Sequence, residues 1–534
     1  MADANTSVVL KVDALHITLP SGGDRAHAVQ NASFSISAGE TLCIVGESGS
    51  GKSVMSLAVM GLLDKALKRE SGSIQLLGEA IESVSDERLR QLRGSTMAMI
   101  FQEPMTALNP VMTCGAQVLE LLFKHTKLSN SEAKAKVIEV FNRVKLPEPE
   151  RIFSSYPHQL SGGQRQRIVI AMAVILKPKL LIADEPTTAL DVTTQKEILS
   201  LLKELREEQG SAVLFITHDM GVVNDIADRV LVMNKGVVVE QGTKQQVLHA
   251  PQEDYTKMLL AAVPSMEPPP PRILKSNVVQ IQGEKVDKTY VSRTWTGRGM
   301  NTKALVDAAV AVRAGETVGV VGESGSGKST FARCLIRLID PTAGKIQWAD
   351  NEVATLSESQ LRKFRSHVQV VFQDPNRSLN PRRRIGDSMI EGAVNFGISE
   401  ADARRESERL MDVVRLPRQS LNRFPSEFSG GQRQRLAIAR ALACKPKVLI
   451  ADEAVSALDV SVQAEILKLL RSVQDELGLA ILFITHDLRV AAQLCDRVVV
   501  MHQGRIVEQG PTAELYANPQ QEYTKKLLTA APGL

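Results

Sequence analysis

Two identical glycine-rich octapeptides are the residues best suited to do chemistry in this sequence. Each reads GESGSGKS, once at Gly46–Ser53 and again at Gly322–Ser329. The pattern GxxxxGK[ST] after a predicted strand lets backbone N–H groups curl around a β-phosphate, while the next helix points its positive N-terminus at the anion. The lysine should reach the β- and γ-phosphates, and the last serine should ligate Mg²⁺. The predicted phosphate-binding residues are Gly46, Ser48, Gly49, Ser50, Gly51, Lys52, Ser53, Gly322, Ser324, Gly325, Ser326, Gly327, Lys328 and Ser329.

Acidic pairs and histidines follow further apolar runs in both halves of the chain. A carboxylate at a strand end can hold Mg²⁺ through water, and its neighbour can polarise the attacking water as general base. Alone, such a pair is more often a solvated strand end, but its place downstream of a phosphate loop favours catalysis. His218 and His486 lie in identical FITHD segments and could contact a γ-phosphate and the base, although a lone histidine there is usually a plain hydrogen-bonded residue. The acidic pairs are Asp184 with Glu185 and Asp452 with Glu453.

The chain contains two copies of one unit. GESGSGKS recurs 276 residues later, at positions 46 and 322, and SGGQRQR recurs 268 residues later, at positions 161 and 429. LIADE and FITHD repeat with the same 268-residue offset, from positions 181 to 449 and 215 to 483. Four consecutive prolines at 268–271 suit a stiff, extended linker. We predict a first domain at 1–262, a proline-rich linker at 263–275 and a second domain at 276–534.

Short apolar runs in each half predict a parallel sheet. TLCIV (41–45), KLLIA (179–183), AVLFI (212–216) and TVGVV (317–321) are continuous apolar runs that each meet a polar motif at the C-terminal end. Ligands of open α/β sheets bind beyond the carboxyl ends of the strands, where these motifs lie. Helical patterns between about 102 and 161, and between 373 and 429, predict a small helical lobe in each half.

Length and composition exclude several classes of protein. The 534 residues exceed one ordinary core, and 64 basic against 60 acidic residues give a net charge of +4, which requires no nucleic acid or acidic lipid. The longest apolar run, 168–176, is half of a membrane span, and the N-terminal MADANTSVVLKV is unlike a secretory signal. Five scattered cysteines without CxxC indicate a reducing compartment rather than a disulfide framework or zinc finger.

Together these motifs resemble the ATP-binding-cassette (ABC) ATPases across both halves. Besides the phosphate loop, the acidic pair and the histidine, each half has a glutamine in [IV]FQ[ED]P, an SGGQ signature and an LD dipeptide. The resemblance implies an α/β fold: two tandem cassettes, each with a parallel-sheet core, a small β subdomain and a helical lobe, using ATP and Mg²⁺. It implies Gln102 and Gln373 as catalytic residues and as metal ligands with Ser53, Asp184, Ser329 and Asp452. Its signature residues are Ser161, Gly162, Gly163, Gln164, Ser429, Gly430, Gly431 and Gln432.

The family pairs cassettes head to tail, so that the signature of one caps the γ-phosphate bound by the other. By resemblance, the first pocket combines the phosphate loop and acidic pair of the first half with the signature at 429–431. The second combines those of the second half with the signature at 161–163. Glu185 and Glu453 are both present, and this favours two hydrolytic sites over a regulatory or scaffolding pseudo-ATPase.

Departures from the family pattern fall mainly on the first pocket. Val54 stands where the second half has Thr330, whose hydroxyl can meet an α-phosphate. Tyr290 is the expected adenine-stacking aromatic of the second half, whereas the first half offers Leu19 or His16. Phe428 replaces the usual leucine at the start of the second signature. We predict weaker nucleotide binding in the first pocket by about ten-fold, since a base–aromatic stack contributes about 1–3 kcal/mol; adequate packing of Leu19 on adenine is the alternative.

A finer resemblance is to the fused two-cassette ATPase subunits of dipeptide, oligopeptide and glutathione importers. FQEPMTALNP, FQDPNRSLNP, YPHQLSGGQ and the tails APQEDYTKMLLAAVPS and NPQQEYTKKLLTAAPG carry it. It implies two transmembrane permease subunits, a periplasmic substrate-binding protein and a peripheral place on the cytoplasmic face of the bacterial inner membrane. No cysteine cluster follows the YT…LL segment, so no iron–sulfur cluster is expected. The tail could alternatively be a helix that only packs on its own cassette.

Tandem cassettes without membrane spans also occur in ribosome-bound translation factors and DNA-repair ATPases. The former usually carry a long basic segment between the cassettes, and the latter insert zinc-binding cysteines. Here the linker is short and proline-rich, and no CxxC is present. We therefore predict no nucleic acid partner and keep this class as the alternative function. The cargo is not readable from the sequence.

Overall fold

The computed structural model describes residues 7–20, 25–102, 107–188, 190–293, 299–456 and 458–531. The chain divides into two compact units, the first mainly 1–190 and 194–263 and the second mainly 264–531. Each unit is described by itself. Both have the mixed α/β architecture predicted from the sequence, with a parallel core sheet, an antiparallel β subdomain and a helical lobe.

In the first unit the described strands form one sheet in the order β5-β4-β1-β2-β10-β9-β3-β8-β7-β6. Strands β6, β7, β8, β3 and β9 pair in parallel, while β1 pairs antiparallel with β2 and β4. Every residue of β3, β7 and β8 is buried, as expected for a sheet covered on both faces. The strands are β1 Val8–Thr18, β2 His27–Ser37, β3 Thr41–Val45, β4 Lys68–Leu76, β5 Glu79–Ala80, β6 Met97–Ile100, β7 Leu180–Asp184, β8 Ala212–Ile216, β9 Arg229–Asn234 and β10 Val237–Thr243.

Helices of the first unit flank this sheet and form its lobe. The lobe consists of α3 to α6, which pack through apolar residues such as Val118, Val137 and Phe141 in the main core. Helix α4 begins at a capping box in which Ser129 and Glu132 satisfy each other's backbone N–H groups. The helices are α1 Lys52–Val59, α2 Asp86–Ser95, α3 Cys114–His125, α4 Asn130–Arg143, α5 Pro149–Ser154, α6 Gly162–Val174, α7 Val192–Gln209, α8 Met220–Ile226, α9 Lys244–His249 and α10 Asp254–Ala262.

The second unit repeats this plan in two sheets over the described residues. The parallel sheet has the order β16-β17-β18-β13-β19-β20, in which β20 is antiparallel to β19, and the antiparallel sheet has the order β12-β11-β14-β15. Its strands are β11 Val279–Arg293, β12 Gly299–Arg313, β13 Thr317–Val321, β14 Ala343–Trp348, β15 Asn351–Glu352, β16 Val368–Val371, β17 Val448–Asp452, β18 Ala480–Ile484, β19 Arg497–His502 and β20 Arg505–Pro511.

Helices of the second unit occupy the corresponding places in the chain. Its lobe contains α14 to α16, and α16 begins after the second SGGQ serine. The helices are α11 Lys328–Leu335, α12 Glu358–Leu361, α13 Pro375–Ser378, α14 Ile385–Asn395, α15 Glu400–Val413, α16 Gly430–Leu442, α17 Val460–Leu477, α18 Leu488–Leu494, α19 Thr512–Ala517 and α20 Glu522–Ala530. Across the described part of the chain, no helix combines the length and apolar character that a membrane span requires.

Candidate functional site

Each phosphate loop joins the carboxyl end of a buried parallel strand to a helix. The first follows β3 and enters α1, and the second follows β13 and enters α11. Gly46 has φ 147°, and a Cβ there would lie 2.1 Å from the Met233 carbonyl oxygen. Gly322 repeats this with φ 149° and the Met501 carbonyl oxygen at 2.2 Å. Glycine is therefore needed at the start of each loop by both conformation and space.

The lysine of each loop lies across the loop's own carbonyl oxygens. Lys52 Nζ donates to Gly46 O at 2.7 Å and to Glu47 O at 2.9 Å. Lys328 Nζ makes the same two bonds, at 2.7 and 2.9 Å, to Gly322 and Glu323. Burial lowers the pKa of Lys328 because it disfavours the charged ammonium, and a phosphate beside it would stabilise that charge.

Buried hydroxyls inside the loops fit a phosphate ligand. Ser50 Oγ and Ser326 Oγ are buried and have no hydrogen-bond partner among the described residues. A buried hydroxyl without a partner is costly, and a phosphate oxygen would satisfy it. The loops therefore have the glycine conformations, the lysine and the spare donors that an ATP phosphate chain requires.

A serine hydroxyl and a strand-end carboxylate meet beside each loop. Ser53 Oγ donates to Asp184 Oδ1 at 3.1 Å, and Ser329 Oγ donates to Asp452 Oδ1 at the same distance. Burial raises the pKa of Asp184 to about 6, only partly offset by the bond from Ser53, and the pKa of Asp452 is raised for the same reasons. Hydroxyl and carboxylate oxygens are hard ligands that suit Mg²⁺, which keeps most of its waters. Among the described residues, no group of three or more His, Cys, Asp or Glu side chains is arranged to hold a metal ion.

The following glutamate is held at a strained backbone position. Glu185 has φ 46° and its N–H donates to Ile216 O at 2.9 Å; Glu453 has φ 51° and its N–H donates to Ile484 O at 3.0 Å. A left-handed conformation at a non-glycine residue is uncommon, and such strain often accompanies a functional position. Strand β7 begins at Leu180 and ends at Asp184, one residue later than the apolar run indicates, so the glutamate is the first residue beyond the strand.

Side chains of three residues converge on the first of these glutamates, two of them from other segments of the chain. Gln102 Nε2 donates to Glu185 Oε2 at 3.0 Å, Thr188 Oγ1 donates to the same oxygen at 2.9 Å, and His218 Nδ1 lies 3.3 Å from Oε1. Burial raises the pKa of Glu185, but the bonds from His218 and Thr188 and the charge of Lys52 outweigh it and bring the pKa to about 2. Glu185 is thus ionised at neutral pH, as a base that polarises water must be.

The second glutamate has a similar but not identical set of partners. Gln373 Nε2 donates to Glu453 Oε2 at 2.7 Å, and His486 Nδ1 lies 3.6 Å from Oε1. Ser456, at the position of Thr188, donates to the Glu453 carbonyl oxygen at 3.0 Å instead of to the carboxylate. Burial raises the pKa of Glu453, while His486, Lys328 and Gln373 lower it below its ordinary value overall.

The signature residues form helix N-termini in the lobes. Ser161 Oγ accepts from Gln164 N at 3.3 Å and Ser161 N donates to Gln164 Oε1 at 3.0 Å; Ser429 and Gln432 form the same box at the same distances. The glycines of the first turn are 162, 163, 430 and 431, and a Cβ at Gly162 or Gly430 would meet open space. Open N–H groups at a helix N-terminus suit an incoming phosphate.

The strand register decides which residue of the first unit stands in the place of Tyr290. Ala14 and Lys285 both have positive φ and both lie against a glycine, Gly72 and Gly344. Five residues on from these equivalent points lie Leu19 and Tyr290, so Leu19 rather than His16 is the counterpart. Tyr290 is 41% exposed, whereas Leu19 packs against its own core.

Sequence reasoning brought most of these residues together but missed two contacts. Within each unit the structure gathers the loop lysine and serine, the acidic pair, the glutamine and the histidine. Thr188 was missed, although a hydroxyl recurs at 456 in the repeat and could have indicated it. Tyr255 was also missed: its hydroxyl accepts a hydrogen bond from Glu47 N at 3.3 Å.

A phosphate-binding loop, a strand-end acidic pair with its converging glutamine and histidine, and an SGGQ helix cap define an ATP-binding-cassette ATPase. Comparison with known families agrees. The ABC transporter family matches residues 29–188 and 305–456, and the family described as "Oligopeptide/dipeptide transporter, C-terminal region" matches 239–295 and 507–534.

Similar proteins match nearly the whole chain, and a similar solved structure matches part of it. The glutathione import ATP-binding protein GsiA of Escherichia coli (strain K12) is 46% identical over 98% of this chain and 89% of that protein. The GsiA proteins of Shigella boydii serotype 4 (strain Sb227) and Salmonella typhimurium are 46% and 45% identical over the same shares. A dimeric ATP-binding cassette solved in a post-hydrolysis state with ADP and Pi is 31% identical, covering 44% of this chain and 98% of that chain with a TM-score of 0.40.

The chain therefore belongs to the ABC transporter family and is an ATPase coupled to transport. The transport prediction and the tandem-cassette fold class are confirmed. The comparisons give no support to the ribosome or nucleic acid alternative.

Proposed function

We propose that this chain hydrolyses ATP to power the import of small peptides, glutathione included, through separate permease subunits. The observation that carries the proposal is the match of nearly the whole chain to glutathione import ATP-binding proteins, together with the peptide-transporter match of both tails. On this proposal two transmembrane permeases hold the chain on the cytoplasmic face of the bacterial inner membrane, and a periplasmic binding protein delivers the cargo.

The proposed working units are cassette 1 at 1–262 and cassette 2 at 276–534, joined by the linker at 263–275. In each, the loop backbone and lysine bind the phosphates. Mg²⁺, when bound, would neutralise phosphate charge, and the serine hydroxyl with the neighbouring aspartate would hold it, with the glutamine as a further ligand. These residues are Ser53, Asp184 and Gln102 in cassette 1 and Ser329, Asp452 and Gln373 in cassette 2.

The glutamate that follows the aspartate is the proposed general base. Its ionised carboxylate can accept a hydrogen bond from water and orient it toward the γ-phosphate. His218 and His486, beside the glutamates, would stabilise the γ-phosphate charge as it develops. The signature serines, glycines and glutamines would cap the γ-phosphate with helix N-terminal donors. Tyr290 would stack on adenine, and Thr330 would meet an α-phosphate.

The glutamines give a physical route from the nucleotide to the permeases. Gln102 and Gln373 each donate to the proposed base, and each precedes the helical lobe of its unit in the chain. A change in the bond to the glutamate on nucleotide binding would therefore shift the lobe. We propose that this lobe receives the cytoplasmic loops of the permeases, so that closure and hydrolysis turn the transport pathway.

Uptake of labelled peptide tests the proposal. Cells that lack the chain are complemented with the wild type or with Glu185→Gln plus Glu453→Gln, and uptake of labelled glutathione and of a labelled dipeptide is measured. The double variant should bind ATP but lose turnover and uptake by at least about 10²-fold, because a general base contributes about 10²–10⁴-fold. Glu207→Gln, on an exposed part of α7, is the matched control and should leave uptake unchanged. Normal hydrolysis in the double variant would contradict the assigned base, and uptake of neither cargo by the wild type would contradict peptide import.

A further inference from the structure

The YT…LL tail of each unit has a fixed attachment to its own sheet. The Glu240 carboxylate, on β10, accepts from Gln252 N at 2.8 Å and Glu253 N at 3.3 Å, immediately before α10. In the second unit the Glu508 carboxylate accepts from Gln520 N at 2.8 Å and Gln521 N at 3.1 Å, before α20. The tail helix therefore begins at a set point relative to the core sheet.

From this point the tail tyrosine reaches the phosphate loop. Tyr255 Oη accepts from Glu47 N at 3.3 Å, and Tyr523 Oη accepts from Glu323 N at 3.1 Å. Both tyrosines are half-buried and pack against the core of their unit. The bonds join residues 208 and 200 positions apart in the chain, and the same bond occurs twice.

The N–H group that each tyrosine binds belongs to the peptide whose carbonyl holds the loop lysine. In the first unit the Gly46–Glu47 peptide donates its N–H to Tyr255 and accepts from Lys52 Nζ at 2.7 Å through the Gly46 oxygen. In the second unit the Gly322–Glu323 peptide is held likewise between Tyr523 and Lys328 Nζ at 2.7 Å. One peptide plane thus lies between the tail and the lysine that we assign to the phosphates.

We propose that Tyr255 and Tyr523 are positioning residues that set the orientation of this loop peptide, so that the tail helps to determine nucleotide affinity. The proposal deepens the proposed function, because it rests on the assignment of the two loops as nucleotide sites. A lysine that moves to the phosphates leaves the Gly46 or Gly322 carbonyl, and the tyrosine bond then keeps the peptide from rotating. The tail is in this way part of the nucleotide site, besides packing on its cassette.

In the second unit an aromatic ring lies beside the tail tyrosine. The His502 ring lies 4.0 Å from the Tyr523 ring, centroid to centroid. The corresponding last residue of β9 is Asn234, which offers no ring. Burial raises the pKa of Tyr523 to about 12, so its hydroxyl remains neutral at physiological pH. If this ring contact compensates for the lost hydrogen bond in the second unit, removal of the hydroxyl will have the larger effect in the first unit.

Tyrosine-to-phenylalanine variants of the full chain test the inference. Tyr255→Phe and Tyr523→Phe keep the ring and remove only the hydroxyl. Loss of one hydrogen bond to the loop should raise the KM and the Kd for ATP about two- to ten-fold per site, with kcat at saturating ATP within about two-fold of wild type. A KM effect without a kcat effect is the readout that a purely structural tyrosine would not give.

A matched hydroxyl deletion at the opposite ends of the parallel strands is the control. Ser211 Oγ donates to Pro178 O at 2.5 Å while buried, just before β8 and therefore at the amino end of the parallel strands. Ser211→Ala should lower the thermal midpoint without changing the KM for ATP. An unchanged KM in both phenylalanine variants, or an equal KM change in Ser211→Ala, would overturn the proposal.

A second pair of variants separates this inference from the proposed function. Lys52→Ala and Lys328→Ala together should abolish ATP binding, because the loop lysines are assigned to the phosphates. If that double variant binds ATP as wild type does, the nucleotide assignment falls and the tyrosine proposal with it. If the lysine variant loses ATP and the phenylalanine variants retain wild-type affinity, only the tyrosine proposal falls.

Discussion

The buried aspartate beside the first phosphate loop makes a quantitative prediction for the protein without nucleotide and metal. Asp184 is 5% exposed, and its carboxylate accepts a hydrogen bond from the Ser53 hydroxyl. Burial raises its pKa from the ordinary 3.8 to about 6, against the opposing bond from Ser53. An ionised carboxylate here therefore destabilises the folded unit until a cation arrives.

The magnitude follows from the pKa. A shift of about 2 pKa units, at 1.36 kcal/mol per unit, corresponds to about 3 kcal/mol of folding free energy. The folded state binds more protons than the unfolded state between pH 4 and pH 6, so stability falls as pH rises through this window. The cost is absent below about pH 4, about half present at pH 5 and fully present above about pH 7.

Asp184→Asn removes the titration while keeping the shape. We expect the variant to gain up to about 3 kcal/mol over wild type at pH 8 relative to their difference near pH 4. Urea unfolding of the full chain with EDTA, read by pulse proteolysis and mass mapping of first-unit fragments, measures it at pH 4, 5 and 8. Asp254→Asn, which removes a fully exposed carboxylate, is the matched control.

Two outcomes would refute the reasoning. If the stability difference between variant and wild type were the same at all three pH values, Asp184 would not titrate as inferred from its burial. If added Mg²⁺ and ATP stabilised the asparagine variant as much as wild type, the residue would not belong to the metal site. We expect Asp184→Asn to lose Mg²⁺-dependent hydrolysis and to gain stability without nucleotide. This result would show that the Asp184 charge serves function and lowers the stability of the unliganded fold.

Two further predictions concern the difference between the units. Tyr290→Leu should weaken ATP binding at the second phosphate loop about ten-fold, and Leu19→Tyr should strengthen it at the first, because base–aromatic stacking contributes about 1–3 kcal/mol. Site-resolved nucleotide titration measures both affinities. Equal affinities of the two wild-type sites would contradict the predicted asymmetry. Thr188→Val removes a 2.9 Å hydrogen bond to the ionised Glu185 carboxylate and should therefore raise the pKa of that glutamate. The acid limb of the pH profile of kcat should then move to higher pH. An unchanged acid limb would show that Thr188 does not influence the proposed base.

The sequence predicted the parts of the fold that depend on local pattern. Buried apolar pentamers become β3, β8 and β13 with their predicted limits, because parallel strands covered on both faces leave no polar alternation. Motifs at the carboxyl ends of such strands must share an edge of the sheet, so Ser53 and Asp184 could be expected to meet. The repeat strengthened each of these predictions.

What depends on side-chain direction or long-range contact could not be predicted. The sequence alone does not indicate that the Gln102 amide donates to Glu185. Nor does it indicate that Thr188 donates a hydrogen bond to a carboxylate while Ser456 donates to a carbonyl oxygen. The choice between His16 and Leu19 as the counterpart of Tyr290 depends on a bulge at Ala14, which only the strand register reveals. The Tyr255 contact joins segments 208 residues apart and has no local signature.

Comparison of the two units shows which features of the nucleotide site are the same in both and which differ. At the phosphate loops the two units make the same hydrogen bonds at the same distances. Lys52 and Lys328 each lie 2.7 Å from a glycine carbonyl oxygen, and the serine hydroxyl of each loop lies 3.1 Å from its aspartate. They differ at the position predicted to contact adenine, where the first unit has Leu19 and the second has Tyr290. They also differ at the last residue of β9 and β19, which is Asn234 in the first unit and His502 in the second. Both proposed sites need the same phosphate chemistry, which explains why the lysine, serine and aspartate contacts are the same. Affinity can differ between sites, so the residues at the adenine position and beside the tail can differ. We therefore predict that the two units differ in their affinity for ATP but share the same chemistry.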